Sequence, residues 1–454
     1  MNLAFVTAAA FAALTILLAP WLIKIYTFRI ADPALRAQQE ATGAFFMRIF
    51  MPQMIFYATG AVLSGLLNAH RRFAPPMFAP ILNNLIVVAT FVTFRVMHGG
   101  GTPQLSTLTG AEKWVLAGGT TLGVAAFTML LWPYVRRLPG RYQPRSFDWR
   151  NPAIRHVGTL AKYSLGYVIV NQIGLWVVYA LANGVAGGIS AYQASFILYQ
   201  LPYGIFAVSV MTALVPSLAE HHVSGDVGRF RAGVSLGLRT TAFVVIPAAA
   251  AFVALGRPII RLLLEHGVFG RGSTDLYADT FVMMAIGLGA YAGFQQIMRA
   301  FYARQDTRTP WVVNIAAVAL NTAVNLPLYA WMGVPGLALG HTISYLFAAA
   351  YGGALLRRRL GGLDGRRLAS SHARIALASV ATAFVAWLVA RAVAGAVDTS
   401  VFGGRLLQVS SAVSAGLVLY AAMSAVLRLD EFRALWRLVS RRAAARFGGG
   451  REEE

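Results

Sequence analysis

The run LNAHRRFAPPMFAPILNN, residues 67–84, places two arginines between the end of one apolar segment and the start of another. Behind Arg71 and Arg72 the chain is apolar back to Phe45, and beyond the loop it is apolar again from Phe78 to Met97. Each segment has the roughly 20 residues that a helix needs to cross about 30 Å of hydrocarbon. The same alternation continues in both directions. Of the 454 residues, 57% are hydrophobic and 12% charged, against about 25% charged in a soluble domain. The chain therefore reads as an all-α integral membrane protein.

Apolar runs bounded by Pro, Gly and charge predict twelve transmembrane helices, near 2–25, 45–69, 78–97, 114–135, 157–185, 190–219, 234–255, 281–300, 311–332, 334–356, 375–393 and 406–427. They group as four helices in 1–135, a basic loop 136–156, six helices in 157–356, a basic loop 357–374, two more helices in 375–427 and a basic tail 428–454. All 17 acidic residues fall outside the centres of these runs. Kinks are expected at Pro52, Pro202 and Pro327, which should face protein or a water-filled cavity, because lipid offers freed backbone groups no partner.

Loop charge sets the orientation. Arg71, Arg72, Arg136, Arg137, Arg304, Arg308, Arg357, Arg358, Arg359, Arg366 and Arg367 crowd into one set of alternate loops, while the other set holds little beyond Arg29, Arg36, Arg257, Arg261 and Arg271. The positive-inside rule then places both termini in the cytoplasm of a multi-pass protein of the cytoplasmic membrane. The net charge of +22 is scattered through short loops rather than along one soluble face, so anionic phospholipid is the expected partner and nucleic acid is not. Residues 257–269 read as a short amphipathic helix in the external interface. Arg433, Arg437 and Arg441, opposite Leu435, Trp436 and Val439, read as an internal one.

Enzyme chemistry finds no foothold. The chain has no cysteine, no His-Glu-x-x-His, no paired intramembrane carboxylates and no phosphate-binding Gly-x-x-x-x-Gly-Lys loop, so no cofactor or metal is expected. Transport would run without ATP hydrolysis. His341 stands alone in its run and is expected to hydrogen-bond between helices rather than bind metal.

An internal repeat starts from the same stretch. Arg71-Arg72-Phe73 precedes Pro80 and Asn84, and Arg304-Gln305-Asp306 precedes Pro310 and Asn314. The prolines suit a first helical turn, and an asparagine one turn on can bond a neighbouring helix. If these runs correspond, the helices near 157–185 and 190–219 have no counterpart in the first unit. A complete molecule would have fourteen helices in two similar lobes.

Residues 67–84 also carry a resemblance, with Leu201-Pro202-Tyr203-Gly204, Pro216-Ser217-Leu218, His266-Gly267-Val268-Phe269, and Phe301-Tyr302-Ala303-Arg304-Gln305-Asp306 ahead of Thr309-Pro310. In this order they resemble the MurJ, or MviN, family of lipid II flippases in the MOP exporter superfamily. The resemblance implies two helical lobes around a central cavity. It also implies export of the polyprenyl-pyrophosphate-linked peptidoglycan precursor by alternating access, and that Met1 corresponds to the start of the family's third helix. Cavity charges of the first two family helices have no counterpart here. An Asp-Arg pair and a Glu expected before Leu201 fall on Phe196, Ile197 and Gln200.

Candidate substrate-binding residues follow from the pyrophosphate, which guanidinium groups meet with charge-assisted hydrogen bonds. They are Arg48, Arg239 and Arg299, with Lys162 as a weaker candidate and Asn84, Gln172 and Asn314 as polar groups within spans. The competing reading for the cations is that they snorkel to the nearest headgroups, and for the amides that they bridge helices. Two other functions fit the same sequence: export of a different polyprenyl-linked oligosaccharide, and a non-transporting scaffold for cell-wall synthesis or division proteins.

Overall fold

The computed structural model describes residues 2–28, 30–70, 72–99, 103–138, 152–265 and 271–433. Among them there is no β-strand. The chain divides into two compact units, 1–158 and 159–454.

The first unit is built from α1 (Asn2–Thr27), α2 (Pro33–Phe50), α3 (Gln53–Ala69), α4 (Ala74–His98) and α5 (Gly110–Arg136). Asp32 starts α2 by accepting the Ala34 amide at 2.9 Å, with Pro33 in the first turn, where a missing N–H costs nothing. The helix thus begins twelve residues before the apolar run that predicts it. Glu40, expected in a loop, lies on α2 and accepts from the Thr27 hydroxyl at 3.1 Å. Pro52 separates α2 from α3, as expected of a residue with no amide hydrogen. Pro80 departs from expectation: Ala74 to Pro76 form the first turn of α4, so Pro80 sits inside the helix. Polar bonds tie the bundle together. Thr121 donates to the Ile49 carbonyl at 3.2 Å and Thr128 to that of Phe56 at 2.8 Å. Lipid tails are as apolar as leucine, so such bonds and close packing, rather than hydrophobic exclusion, hold spanning helices to one another.

The second unit contains α6 (Pro152–Ala182), α7 (Gly188–Pro202), α8 (Val208–Val223), α9 (Val227–Leu264), α10 (Arg271–Ala285) and α11 (Leu288–Ala303). It continues with α12 (Arg308–Met332), α13 (Val334–Arg359), α14 (Gly365–Ala396) and α15 (Phe402–Val426). Pro202 ends α7 and is followed by one π-helical turn, Tyr203–Ala207, so the α-helix is interrupted where a break is expected. Pro327 does not break its helix: it lies within α12, exposed rather than facing protein. The amphipathic helix expected from Arg257 is not a separate element, because α9 runs unbroken to Leu264 over 38 residues. Residues 266–270 and the tail amphipath, apart from Arg433, lie outside the described residues. Asp275 and Asp279, expected in a loop, lie on α10.

Each of the twelve predicted runs coincides with a helix or a broken helix. Ten described helices are long and apolar enough to span a membrane, and the pair α10–α11, bent by 47°, makes an eleventh. The remaining predicted span is α13, whose three terminal arginines and buried His341, Thr342 and Ser344 dilute its apolar character. Large apolar side chains such as Leu17, Val96 and Trp331 are exposed, as lipid-facing residues should be.

Candidate functional site

Two glycines on α6 let α12 approach. A Cβ on Gly166 would meet Trp311 Nε1 at 2.6 Å, and one on Gly174 would meet Val318 Cγ1 at 2.8 Å. Between these helices, α7 and α13, all in the second unit, lies a cavity of about 210 Å³. Asn171, Gln172, Asn314, Asn321, His341 and Ser344 line it, along with Tyr179, Tyr192, Tyr345 and Phe196.

The polar groups are mutually positioned. The Tyr167 carbonyl accepts from Asn171 Nδ2 at 2.8 Å and from Asn314 Nδ2 at 3.4 Å, tying α12 to α6. Asn321 Oδ1 accepts from Asn325 Nδ2 at 3.0 Å. His341 Nε2 lies 3.2 Å from the Tyr199 hydroxyl, with the Tyr345 ring centroid 4.6 Å and the Phe196 centroid 5.7 Å from its own. Gln200, standing where the resemblance expects a glutamate, donates to the Tyr291 hydroxyl at 3.3 Å. Among the described residues, no charged side chain lines this cavity. It offers amides, hydroxyls and ring faces, suited to a neutral headgroup rich in hydroxyl and amide groups, and no countercharge for a phosphate.

Of the residues singled out in the sequence, the fold brings Gln172, Asn314 and His341 together here. Arg48 and Asn84 belong to the first unit; both are exposed, and Asn84 Oδ1 accepts from Asn83 Nδ2 at 3.5 Å. Arg299 is partly buried on α11 and does not line the cavity. Lys162 is exposed, its ammonium 5.7 Å from the Tyr163 ring centroid. Arg239 has a different engagement from the one expected. It is 6% exposed, and its Nη1 donates to Glu431 Oε1 at 2.9 Å. This buried ion pair engages Nη1, while Nε has no acceptor among the described residues.

Asn171, Asn321 and Ser344 were not singled out, although a signal for two of them is present. Asn314 and Asn321 are seven apart and Ser344 is three beyond His341, spacings that share a helix face.

A family model for the lipid II flippase MurJ matches residues 1–403. The chain belongs to the MurJ family of lipid II flippases. A probable lipid II flippase MurJ of Rhizobium tropici is 29% identical over 297 residues, which cover 65% of this chain and 54% of the relative. One from Haemophilus influenzae is 27% identical over 364 residues, covering 77% of this chain and 68% of the relative. The match thus spans about half the length of the first of these. A solved lipid II flippase MurJ in an inward closed conformation has a similar fold, with a TM-score of 0.70 at 21% identity, covering 95% of this chain and 82% of the other. An inward-facing MATE transporter of the MOP superfamily gives 0.65 at 13% identity, covering 79% of each chain. With its apolar helices, this MurJ-family chain is a multi-pass membrane protein.

Proposed function

We propose that this chain moves lipid II, the lipid-linked peptidoglycan precursor, across the cytoplasmic membrane by alternating access, without a covalent step. The observation that carries the reading is the family match over residues 1–403, and the likeness of fold to an inward closed flippase supports it. The arginine-rich loops support an orientation with both termini in the cytoplasm, where they face anionic phospholipid.

In this reading the uncharged cavity takes neutral parts of the headgroup, with Gln172 and Asn314 as hydrogen-bonding groups. Arg48 and Arg299 are cations that would meet the pyrophosphate, and Asn84 adds an exposed amide in the first unit. The polyprenyl tail stays in lipid, against the apolar outer faces of the helices. Cell-wall synthesis proteins are the partners that such a transporter would serve.

Complementation tests the reading. Cells depleted of their own lipid II flippase should survive when they express this chain, and purified protein in vesicles should move labelled lipid II between leaflets. Failure of both, in protein shown to be folded and inserted, would overturn the proposal. Movement of another polyprenyl-linked oligosaccharide but not lipid II would reassign the substrate, and pull-down of cell-wall proteins without any flipping would make the chain a scaffold.

A further inference from the structure

A second cavity, of about 420 Å³, opens where α9, α14 and the segment after α15 meet. Its base is apolar: Phe243 and Ala242 on α9, Ile375 and Ala378 on α14, Tyr420 on α15 and Leu429 form one buried cluster. The Tyr420 hydroxyl closes it by donating to the Phe243 carbonyl at 2.6 Å. Above this base the lining is cationic. Among the described residues, Arg239, Arg366, Arg367, Arg374 and Arg428 face only two carboxylates, Asp430 and Glu431.

Both carboxylates are already engaged. Glu431, 6% exposed, accepts from Arg239 at 2.9 Å and from the Ser371 hydroxyl at 3.2 Å. Asp430 accepts from Arg367 at 3.3 Å and lies 3.9 Å from Arg239. Arg366, Arg374 and Arg428 have no ion pair among the described residues. Arg239 Nε is buried and has no hydrogen-bond acceptor among the described residues, an N–H that costs free energy to leave unmet.

The placement of these charges runs against the helix that carries most of them. Arg366 and Arg367 occupy the first turn of α14, where the helix dipole is positive and cations are disfavoured. The N-cap residue, Asp364, makes no side-chain capping bond there. Arg366, Ser370 and Arg374 recur every four residues, so they share one face. Arg428 holds a left-handed backbone (φ 54°), a conformation disfavoured for a non-glycine residue. An anion in this cavity would answer the surplus of arginines and the uncapped helix end together.

We propose that the cavity is a binding site for a phosphate ester, separate from the uncharged cavity of the second unit and independent of the transport reading. Guanidinium forks match phosphate oxygens in geometry as well as charge, and Ser370 adds a hydroxyl. The phosphate can come from a membrane lipid or from solution. The surroundings favour a lipid, because exposed Leu377 and Phe384 follow Arg374 along a neighbouring stripe of α14, where acyl chains would lie.

The full chain is purified into phosphatidylcholine nanodiscs with and without phosphatidylglycerol, and lipid retained after detergent exchange is counted by native mass spectrometry. Thermal unfolding is followed in parallel with inorganic phosphate added in place of the anionic lipid. The triple variant Arg366→Gln/Arg374→Gln/Arg428→Gln removes exposed arginines that make no ion pair. The control Arg357→Gln/Arg358→Gln removes exposed charge elsewhere on the same side. Wild type and control should retain phosphatidylglycerol about tenfold better than the triple variant, since each basic residue near the surface adds to the attraction for anionic lipid. Arg428→Lys should lose only part of this. Stabilisation of wild type but not of the triple variant by phosphate alone would assign the site to a soluble phosphate. Equal retention and equal phosphate response in wild type and triple variant, or an equal loss in the control, would overturn the site.

Discussion

Arg405, at the start of α15, reaches Glu265 at the end of α9: its Nη2 donates to Glu265 Oε1 at 3.0 Å and its Nη1 to the Glu265 carbonyl at 2.6 Å. The same guanidinium donates to the carbonyls of Thr399 at 2.9 Å and Ser400 at 2.8 Å, and Arg261 binds the other carboxylate oxygen at 3.1 Å. One arginine thus pins the α14–α15 loop onto α9. Arg405→Ala leaves these acceptors without their donor and should destabilise the protein by about 2 kcal/mol or more. The check is thermal unfolding in detergent. Glu265→Gln should cost less, since the carbonyl contacts survive, and equal losses would show that the carboxylate carries the whole clasp.

The same contact makes stability depend on pH. Burial alone would raise the Glu265 carboxyl, but the hydrogen bond and charge of Arg261, the Thr274 hydroxyl and the Arg405 charge outweigh it and hold the group below the usual carboxylate range. A depressed folded value means that the stabilisation is complete above the unfolded value, roughly 4.3, and is lost as pH falls through the folded one. The melting temperature should therefore drop on acidification below about pH 4, and Glu265→Gln should flatten that part of the profile.

Asp306 organises the entry to α12. Its Oδ1 accepts from the Thr309 amide at 3.0 Å, its Oδ2 from the Thr309 hydroxyl at 2.7 Å, and Arg359 at the end of α13 donates to the same oxygen. Asp306→Ala should cost roughly 1 kcal/mol, the usual worth of an N-terminal cap. Asp306→Asn, which keeps one acceptor, should recover part of it in the same unfolding measurement.

Gly174 sets the separation of α6 and α12. Gly174→Leu places a side chain where Val318 already sits, and overpacking of this kind costs about 1–3 kcal/mol. Because Gly174 also lines the amide-rich cavity, the variant should lose flipping activity beyond its loss of stability. Flipping that tracks melting temperature alone would argue against a role for this cavity.

Within the cavity, Asn314→Ala and Asn321→Ala each remove an amide and should slow flipping by about three- to tenfold, the scale of one hydrogen bond. Asn314 also bonds the Tyr167 carbonyl, so its variant should lose some stability as well. His341→Phe keeps the ring among Tyr199, Tyr345 and Phe196 but removes the bond to the Tyr199 hydroxyl. Its flipping rate, compared at matched protein insertion, reports whether that bond serves transport or packing.

Much of this protein was legible along the chain. The apolar runs located every span, the block order from Leu67 to Pro310 pointed to the family, and Gln172, Asn314 and His341 were picked out as polar groups in apolar helices. The extra turns of α2 and α4 leave no mark in the apolar pattern, because Asp32 and the prolines at 75 and 76 start helices well before the apolar residues begin. Arg239 read as a phosphate-binding or snorkelling cation near a helix end, since its partner Glu431 lies 192 residues away in the sequence.

By itself, the sequence determined which segments are long and apolar enough to cross a membrane and in which alternate loops their charges gather, because span length and loop charge are local properties that add up along the chain. Only the tertiary structure decided which faces meet, and hence that one cavity is lined by amides and another by arginines. Lipid removes the hydrophobic preference of one helix for another, so those choices rest on close approach at residues such as Gly166 and Gly174, and on polar pairs between distant segments.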